Sequence, residues 1–310
     1  MLIVTGSLAY DFIIDFPGKF SDHILADQIH KINLSFNVEA YAKRRGGTAG
    51  NIVYGLSLLG VKSVLFSRAG KDFGEYKKKF EELGISTKNV EEDDRNYTAT
   101  GFGITDKDNN QIWGYSYGAG YKIHKMDINN VATTKDLVIV GPSGIKGTMS
   151  FVRQCIKFKI PYLFDPSFVL TEIDDKDLAT GIKNAKILIG NDYEISLIKN
   201  RLKSYDSLII GKTVITTFGA KGSLIEENGK KIKIGVVKIA KFIDPTGAGD
   251  AWRSGFLAGM ERGFDLKTCG QMGSVAASYA VERYGTQEHH FSIAQFIKRY
   301  RQTYGDLLKL

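Results

Sequence analysis

The segment Asp244-Pro245-Thr246-Gly247-Ala248-Gly249-Asp250 sets a carboxylate directly after a glycine-rich turn and directly before an apolar helical run, Ala251 to Met260. Free amides at a helix N-terminus attract anions. Gly247 and Gly249 let the backbone turn tightly and approach a ligand, and Pro245 ends the preceding strand. An acid beside such an anion hole makes sense if it must take a proton from an attacking hydroxyl while the amides hold the charge on a transferring phosphoryl group. The plainer reading is an aspartate N-cap after a glycine turn.

Four further segments carry residue types suited to a ligand site. Gly46-Gly47-Thr48-Ala49-Gly50-Asn51 also opens a helix, and Asn51 can both donate and accept, which suits a sugar hydroxyl. A simple strand–helix turn with a solvated Asn51 fits the same letters. Asp11 is expected at the C-terminal end of the first strand, where open α/β sheets bind ligands, although a lone acid there also reads as a loop residue. Asn191 and Glu194 follow a short apolar strand and could organise a hydrated magnesium ion, with Glu194 acting through water. They equally form a helix capping box. Thr216 to Ser223, with Gly219 and Gly222, reads as a nucleotide edge or an ordinary hairpin. Gly211-Lys212-Thr213 lacks the first P-loop glycine, because position 206 is Asp206. No G-x-G-x-x-G follows the first strand, which argues against a dinucleotide-dependent oxidoreductase.

The elements that must position these residues alternate. Strands are expected over 64–66, 137–140, 162–164, 187–189 and 213–217, with helical spacing over 48–59 and 73–83 and between the later strands. That alternation predicts βαβ units on a parallel sheet. Two stretches interrupt it. Residues 12–45, with alternation over 32–38, and residues 98–117, with a hairpin tip at 106–110, have strand character. They predict one small β lid, 12–45 plus 98–117, over a core formed by 1–11, 46–97 and 118–310. The last third is expected to be mainly helical.

The 310 residues, 43% hydrophobic, suffice for a large core with a small appendage. The net charge of +8 is spread along the chain, so no basic patch points to nucleic acid. Cys155 and Cys269 stand far apart and the five histidines lack metal-ligand spacing, so a zinc site is not expected. No apolar run is long enough to cross a bilayer, and no signal-peptide pattern opens the chain, so a cytoplasmic protein without membrane partners is expected.

The order of these motifs along nearly the whole chain resembles the ribokinase-like (PfkB-type) carbohydrate and nucleoside kinase family. The Asp244–Asp250 segment matches that family's motif at every position. The resemblance implies an α/β, Rossmann-type three-layer sandwich with a small β-strand lid. It also implies ATP, magnesium (Mg2+) and transfer of the γ-phosphoryl group to a hydroxymethyl group, and many members are activated by a monovalent cation such as K+. By motif, Asp250 would be the catalytic base and Gly247, Ala248 and Gly249 the anion hole. Asp11, Gly46, Gly47 and Asn51 would contact the acceptor. Asn191 and Glu194 would organise magnesium and its waters, and Thr217, Gly219 and Gly222 would line the ATP side, with Ala277 beside the ATP base. The N-terminal third, including Gly6 to Asp11, His23-Ile24-Leu25, Asn33 to Phe36 and Gly46 to Ile52, looks most like bacterial adenosine kinases. This implies transfer to the 5′-hydroxyl of a nucleoside such as adenosine. A ribose or ketose kinase of the same family, or a catalytically silent nucleoside-binding sensor, is the rival. Phe36 and Tyr117 are candidates to sandwich a base or simply to pack the lid, and Arg253 either reaches a phosphate or forms a salt bridge. The exposed edges of a lid sheet would also suit a homodimer.

Overall fold

The computed structural model describes residues 1–24, 35, 37, 38, 41–108 and 110–310. Phe36 and most of the strand expected around 32–38 lie outside them. Among the described residues the core sheet has nine strands in the order β13-β12-β11-β10-β9-β8-β1-β4-β5. In chain order these are β1 (Leu2–Thr5), β4 (Ser63–Gly70), β5 (Val90–Asp93), β8 (Leu137–Val140), β9 (Tyr162–Phe164), β10 (Ile187–Asn191), β11 (Thr213–Thr217), β12 (Ser223–Glu227) and β13 (Lys230–Ile234). All neighbours run parallel except the terminal hairpin β11-β12-β13.

Successive side chains on a strand point to opposite faces, and here that alternation sorts two cores. Leu2, Val4, Ile139, Leu163, Ile187, Ile189 and Ile215 join the cluster built with helices α1 (Thr48–Leu58), α7 (Ala248–Glu261), α8 (Leu266–Ala280) and α9 (Ile293–Tyr304). Ile3, Val138, Val140, Leu188 and Val214 join the opposite cluster with α3 (Gly144–Phe158), α4 (Asp175–Asn184), α5 (Asp192–Arg201) and α6 (Tyr205–Leu208). Helix α2 (Gly74–Glu82) covers the β5 end through Tyr76 and Phe80 and is stopped by Gly84 at φ 73°. The result is the expected three-layer α/β sandwich with both sheet faces covered.

The lid is a four-stranded sheet in the order β3-β2-β6-β7, formed by β2 (Ala9–Asp15), β3 (Tyr41–Gly46), β6 (Ala99–Thr105) and β7 (Gln111–Ser116). Asp106 closes the β6–β7 tip by accepting from the amides of Asp108 and Asn110. The first strand ends earlier than the sequence suggests. Gly6, at φ 144°, breaks β1, and a separate lid strand begins at Ala9, ahead of the expected boundary at 12.

Small residues bring the helices under the site together. A β-carbon at Gly55 of α1 would stand 2.5 Å from Ser254 Oγ of α7, and one at Gly273 of α8 would stand 2.8 Å from the Trp252 ring. Ser254 Oγ donates to Ile52 O on α1 at 3.0 Å and to Asp250 O at 2.8 Å. Among the described residues no helix is long and apolar enough to cross a membrane. Gly55→Val should overpack the α1–α7 contact and cost about 1–3 kcal/mol of stability. Urea unfolding checks this, and an unchanged midpoint would mean that the two helices are not held by this close approach.

Candidate active site

Helix α7 begins at Ala248, earlier than the expected Ala251, with Gly247 as its N-cap in the left-handed region at φ 78° and no side-chain cap. Asp250 therefore lies inside the first turn and is not the N-cap. Asn51 Nδ2 donates instead to its Oδ2 at 2.8 Å. The turn before it is fixed by Asp244, whose carboxylate accepts from Thr246 N at 2.8 Å and from Gly285 N at 3.0 Å. Ala248 departs from expectation, because its N–H already closes a turn onto Pro245 O at 3.1 Å. Among the described residues Gly247 and Gly249 keep amides without a protein acceptor, which leaves them to an anion.

Burial pushes the Asp250 carboxyl up to about 6, against the opposing pull of the Arg253 charge and the Asn51 hydrogen bond. A carboxylate with that affinity can hold a proton taken from a hydroxyl near neutral pH.

Asn51 does not face the cleft as a free amide. It is buried, and while its nitrogen donates to Asp250 its Oδ1 accepts from Gln287 Nε2 at 2.9 Å. Its amide engages protein groups at both ends, so it is held in place rather than solvated, with its second N–H left over for a ligand. Gly47 turns the chain from β3 into α1 at φ 88°. Gly46 lies against Asp11, since a β-carbon there would stand 2.6 Å from Asp11 Oδ2. Asp11 is a residue of β2 in the lid and not the end of the first strand, because the break at Gly6 starts a new strand before it. Burial pushes its carboxyl up to about 6 as well.

Arg253 forms the salt bridge that was its alternative reading. Its Nε stands 2.6 Å from Asp165 Oδ2 and its Nη2 donates to Asp165 Oδ1 at 2.8 Å. Burial alone would lower the guanidinium, but the paired Asp165 charge and hydrogen bond hold it firmly protonated. A guanidinium ion-paired with a buried carboxylate is costly to withdraw, because breaking such a pair strands a buried charge. Its Nη1 lies under the glycine turn, 2.9 Å from where a β-carbon of Gly249 would stand.

Asn191 and Glu194 form the capping box of α5, with Glu194 N donating to Asn191 Oδ1 and Asn191 N to Glu194 Oε2, both at 2.8 Å. Burial and the nearby Asp165 raise the Glu194 carboxyl. Asn191 stands beside Thr217 in the β10–β11 register, so these two segments share one sheet end. Gly219, at φ 56°, has open space where a β-carbon would point. Gly222 is demanded by the fold, because a β-carbon there would collide with Ile234 O. Ala277 lies on α8, whose capping residue Val281 accepts through its carbonyl from the amides of Ile243 and Asp244.

Tyr117 directly follows β7. Its ring packs over Gly144 at the start of α3, 3.5 Å from the position of a β-carbon. On the lid face that carries Asp11, Trp113 and Tyr115 stack 5.5 Å apart at 4°, while Phe12, Phe102 and Tyr41 form a second aromatic group on the lid. Gly101 and Gly103 on β6 leave room for it, since a β-carbon at Gly103 would meet the Trp113 ring at 2.5 Å. The alternation Gly101-Phe102-Gly103 opposite Trp113-Gly114-Tyr115 was the signal available in the sequence. Asp165, Tyr76, Thr286 and Gln287 were also missed. No motif marks them, and they reach the site through tertiary contacts alone.

A glycine-turn helix N-terminus, an internally held carboxylate of raised affinity and a neighbouring lid make an arrangement suited to phosphoryl transfer. The pfkB family carbohydrate kinase model matches residues 4–291, and the chain belongs to that family. It is a kinase that transfers phosphate to a hydroxyl group. A nucleoside kinase of Methanocaldococcus jannaschii is 34% identical over 262 residues, covering 82% of this chain and 85% of that protein. The structure of a Burkholderia thailandensis nucleoside kinase in complex with inosine superposes with a TM-score of 0.89 at 32% identity, covering 100% of both chains. The same kinase in complex with ADP-inosine gives a TM-score of 0.86 at 34% identity, over 100% of this chain and 98% of that one.

If Asp250, raised to about 6, acts as a base only when ionised, kcat/KM should hold on the alkaline side and fall as pH drops through about 6. A pH–rate profile checks this, and a flat profile across pH 5–8 would exclude Asp250 as the titrating group.

Proposed function

We propose that this chain is an ATP-dependent nucleoside kinase that phosphorylates the 5′-hydroxyl, with adenosine among its acceptors. One observation carries the reading, a continuous run of contacts from the lid to the helix N-terminus. Trp113 and Tyr115 stand beside Gly101, Gly101 beside Asp11, Asp11 beside Gly46, Gly46 beside Thr286 and Thr286 beside Gly247. A flat base on the indole, ribose hydroxyls on the Asp11 carboxylate and the 5′-carbon toward Asp250 would follow that run in order. A free sugar would leave the aromatic surface unused. The inosine complexes of the Burkholderia thailandensis enzyme support the same acceptor class.

Asp250 takes the hydroxyl proton as the 5′-oxygen bonds to the γ-phosphorus. The bond from that phosphorus to its bridging oxygen breaks, and ADP leaves with the electron pair. Gly247 and Gly249 hold the charge on the transferring group, and most of the acceleration comes from alignment and charge stabilisation. Magnesium fits as a hydrated ion carried by the nucleotide phosphates. Among the described residues no group of three or more His, Cys, Asp or Glu could hold it on protein ligands alone, whereas Glu194 stands near Asp165 at the same sheet end. Bound there, the ion would supply charge neutralisation at the β- and γ-phosphates, and Glu194 would hold its waters.

ADP release from ATP and magnesium, with adenosine, inosine, cytidine, ribose and fructose offered separately, tests the reading. Nucleosides should turn over, and Asp250→Asn should lower kcat by about two to four powers of ten. Turnover with a free sugar alone would replace the acceptor, and an undiminished Asp250→Asn enzyme would remove the base. Trp113→Ala should raise the nucleoside KM about ten-fold or more, on the scale of base–aromatic stacking, with KM for ATP unchanged. An unaltered nucleoside KM would move the base elsewhere.

A further inference from the structure

Gln287 is buried at 4% exposure and belongs to no motif, yet it joins the lid to Asp250. Its Nε2 donates to Asn51 Oδ1 at 2.9 Å and to the Tyr76 hydroxyl at 2.5 Å. Tyr76 in turn donates to Gly46 O, the last residue of β3, at 2.8 Å. Asn51 Nδ2 completes the chain at Asp250 Oδ2.

The ends of this chain set its polarity. A carbonyl at Gly46 and a carboxylate at Asp250 can only accept when the latter is ionised. Tyr76 must therefore send its proton to Gly46 and accept from Gln287. Asn51 must send its nitrogen to Asp250, and its oxygen then needs a donor from Gln287. Both N–H bonds of Gln287 are used, and neither amide can turn over without placing oxygen against oxygen.

We infer that Gln287 is a positioning residue for Asp250, locking the Asn51 amide so that it occupies Oδ2 and leaves Oδ1 to receive the proton of the acceptor hydroxyl. This rests on the reading of Asp250 as the base. Among the described residues Oδ1 has no protein donor. The loop carrying Gln287 is itself clamped on both sides. Thr286 Oγ1 donates to Arg45 O of β3 at 2.8 Å, and Gly285 N donates to Asp244 of the turn before Asp250. The end of the lid strand and the base thus share one hydrogen-bonded chain.

The charged groups facing Asp250 are Arg253 on its own helix, Asp165 after β9 and Glu194 on α5. Gln287→Leu alters none of them and adds no charge, so a shift in its acid limb would trace to the lost amide. The test compares kcat, KM for ATP and the pH–rate profile of Gln287→Leu, Gln287→Glu and Asp250→Asn enzymes with the parent. Gln287→Leu frees Asn51 to rotate, and loss of a donor to the ionised carboxylate raises its proton affinity. The acid limb should move to higher pH and kcat should fall about ten-fold, the scale of one hydrogen bond to a charged group, with KM for ATP unchanged. Gln287→Glu keeps the shape but presents only acceptors when ionised, turning Asn51 Oδ1 toward Asp250, and should lose more kcat than the leucine variant. Parent-like kcat and acid limb in either folded variant, beside an inactive Asp250→Asn enzyme, would overturn the positioning role alone. An active Asp250→Asn enzyme would overturn the base and the inference with it. If Gln287→Leu does not fold, the uncharged and similarly sized Gln287→Met carries the comparison.

Discussion

One hydrogen bond, from Asn51 to Asp250, joins the N-terminal turns of α1 and α7, and the site is arranged around it. It can exist only because the two helices approach closely, with Gly55 facing Ser254 and Ser254 cross-linking Ile52 O to Asp250 O. Bulk at that crossing would separate the two N-termini and with them the acid from its amide. Opposing terms meet at the carboxylate. Burial raises its proton affinity, while Arg253 and Asn51 lower it, and the balance falls near neutrality, where a proton can be both taken and released.

Behind the glycine turn the charges are neutralised within the protein. Asp165 holds Arg253, and Arg253 lies beneath Gly249, so the turn has a fixed positive support that does not project into the cleft. A buried pair of this kind is worth little as net stability but is costly to break on one side, which suits a support that must not move. On the other wall, glycines take a different part. Gly101 and Gly103 give up side chains so that Trp113 and Tyr115 can lie over the strand, next to Asp11. The lid thereby presents an aromatic surface and a carboxylate on one face.

Much of the α/β core was readable because its signals are local. Short apolar runs became β8, β9, β10 and β11, the helical spacing after Gly47 became α1, and Gly84 stopped α2. Boundaries that depend on backbone geometry were not. Gly6 ended β1 and moved Asp11 onto a lid strand, and α7 started at Ala248, which put Asp250 inside the first turn. Residue types also left the reading open where a second partner decided the outcome. Asn51 read equally as a sugar ligand or a solvated turn residue, and Gln287 and Asp250 decided that it is buried and held at both ends. Arg253 read as a phosphate contact or a salt-bridged helix residue, and Asp165 supplied the salt bridge.

The sequence by itself determined the fold class, the glycine turns and an acid at the N-terminus of a helix, because periodicity, φ preference and helix-terminus polarity act over a few neighbouring residues. Tertiary structure alone decided which oxygen of Asp250 stays open, which aromatics face Asp11, and that Gln287 and Tyr76 link the lid to Asp250. Those outcomes depend on partners up to 236 positions apart in the chain. A hydrogen bond selects its donor by position and direction in space, and no local pattern encodes either.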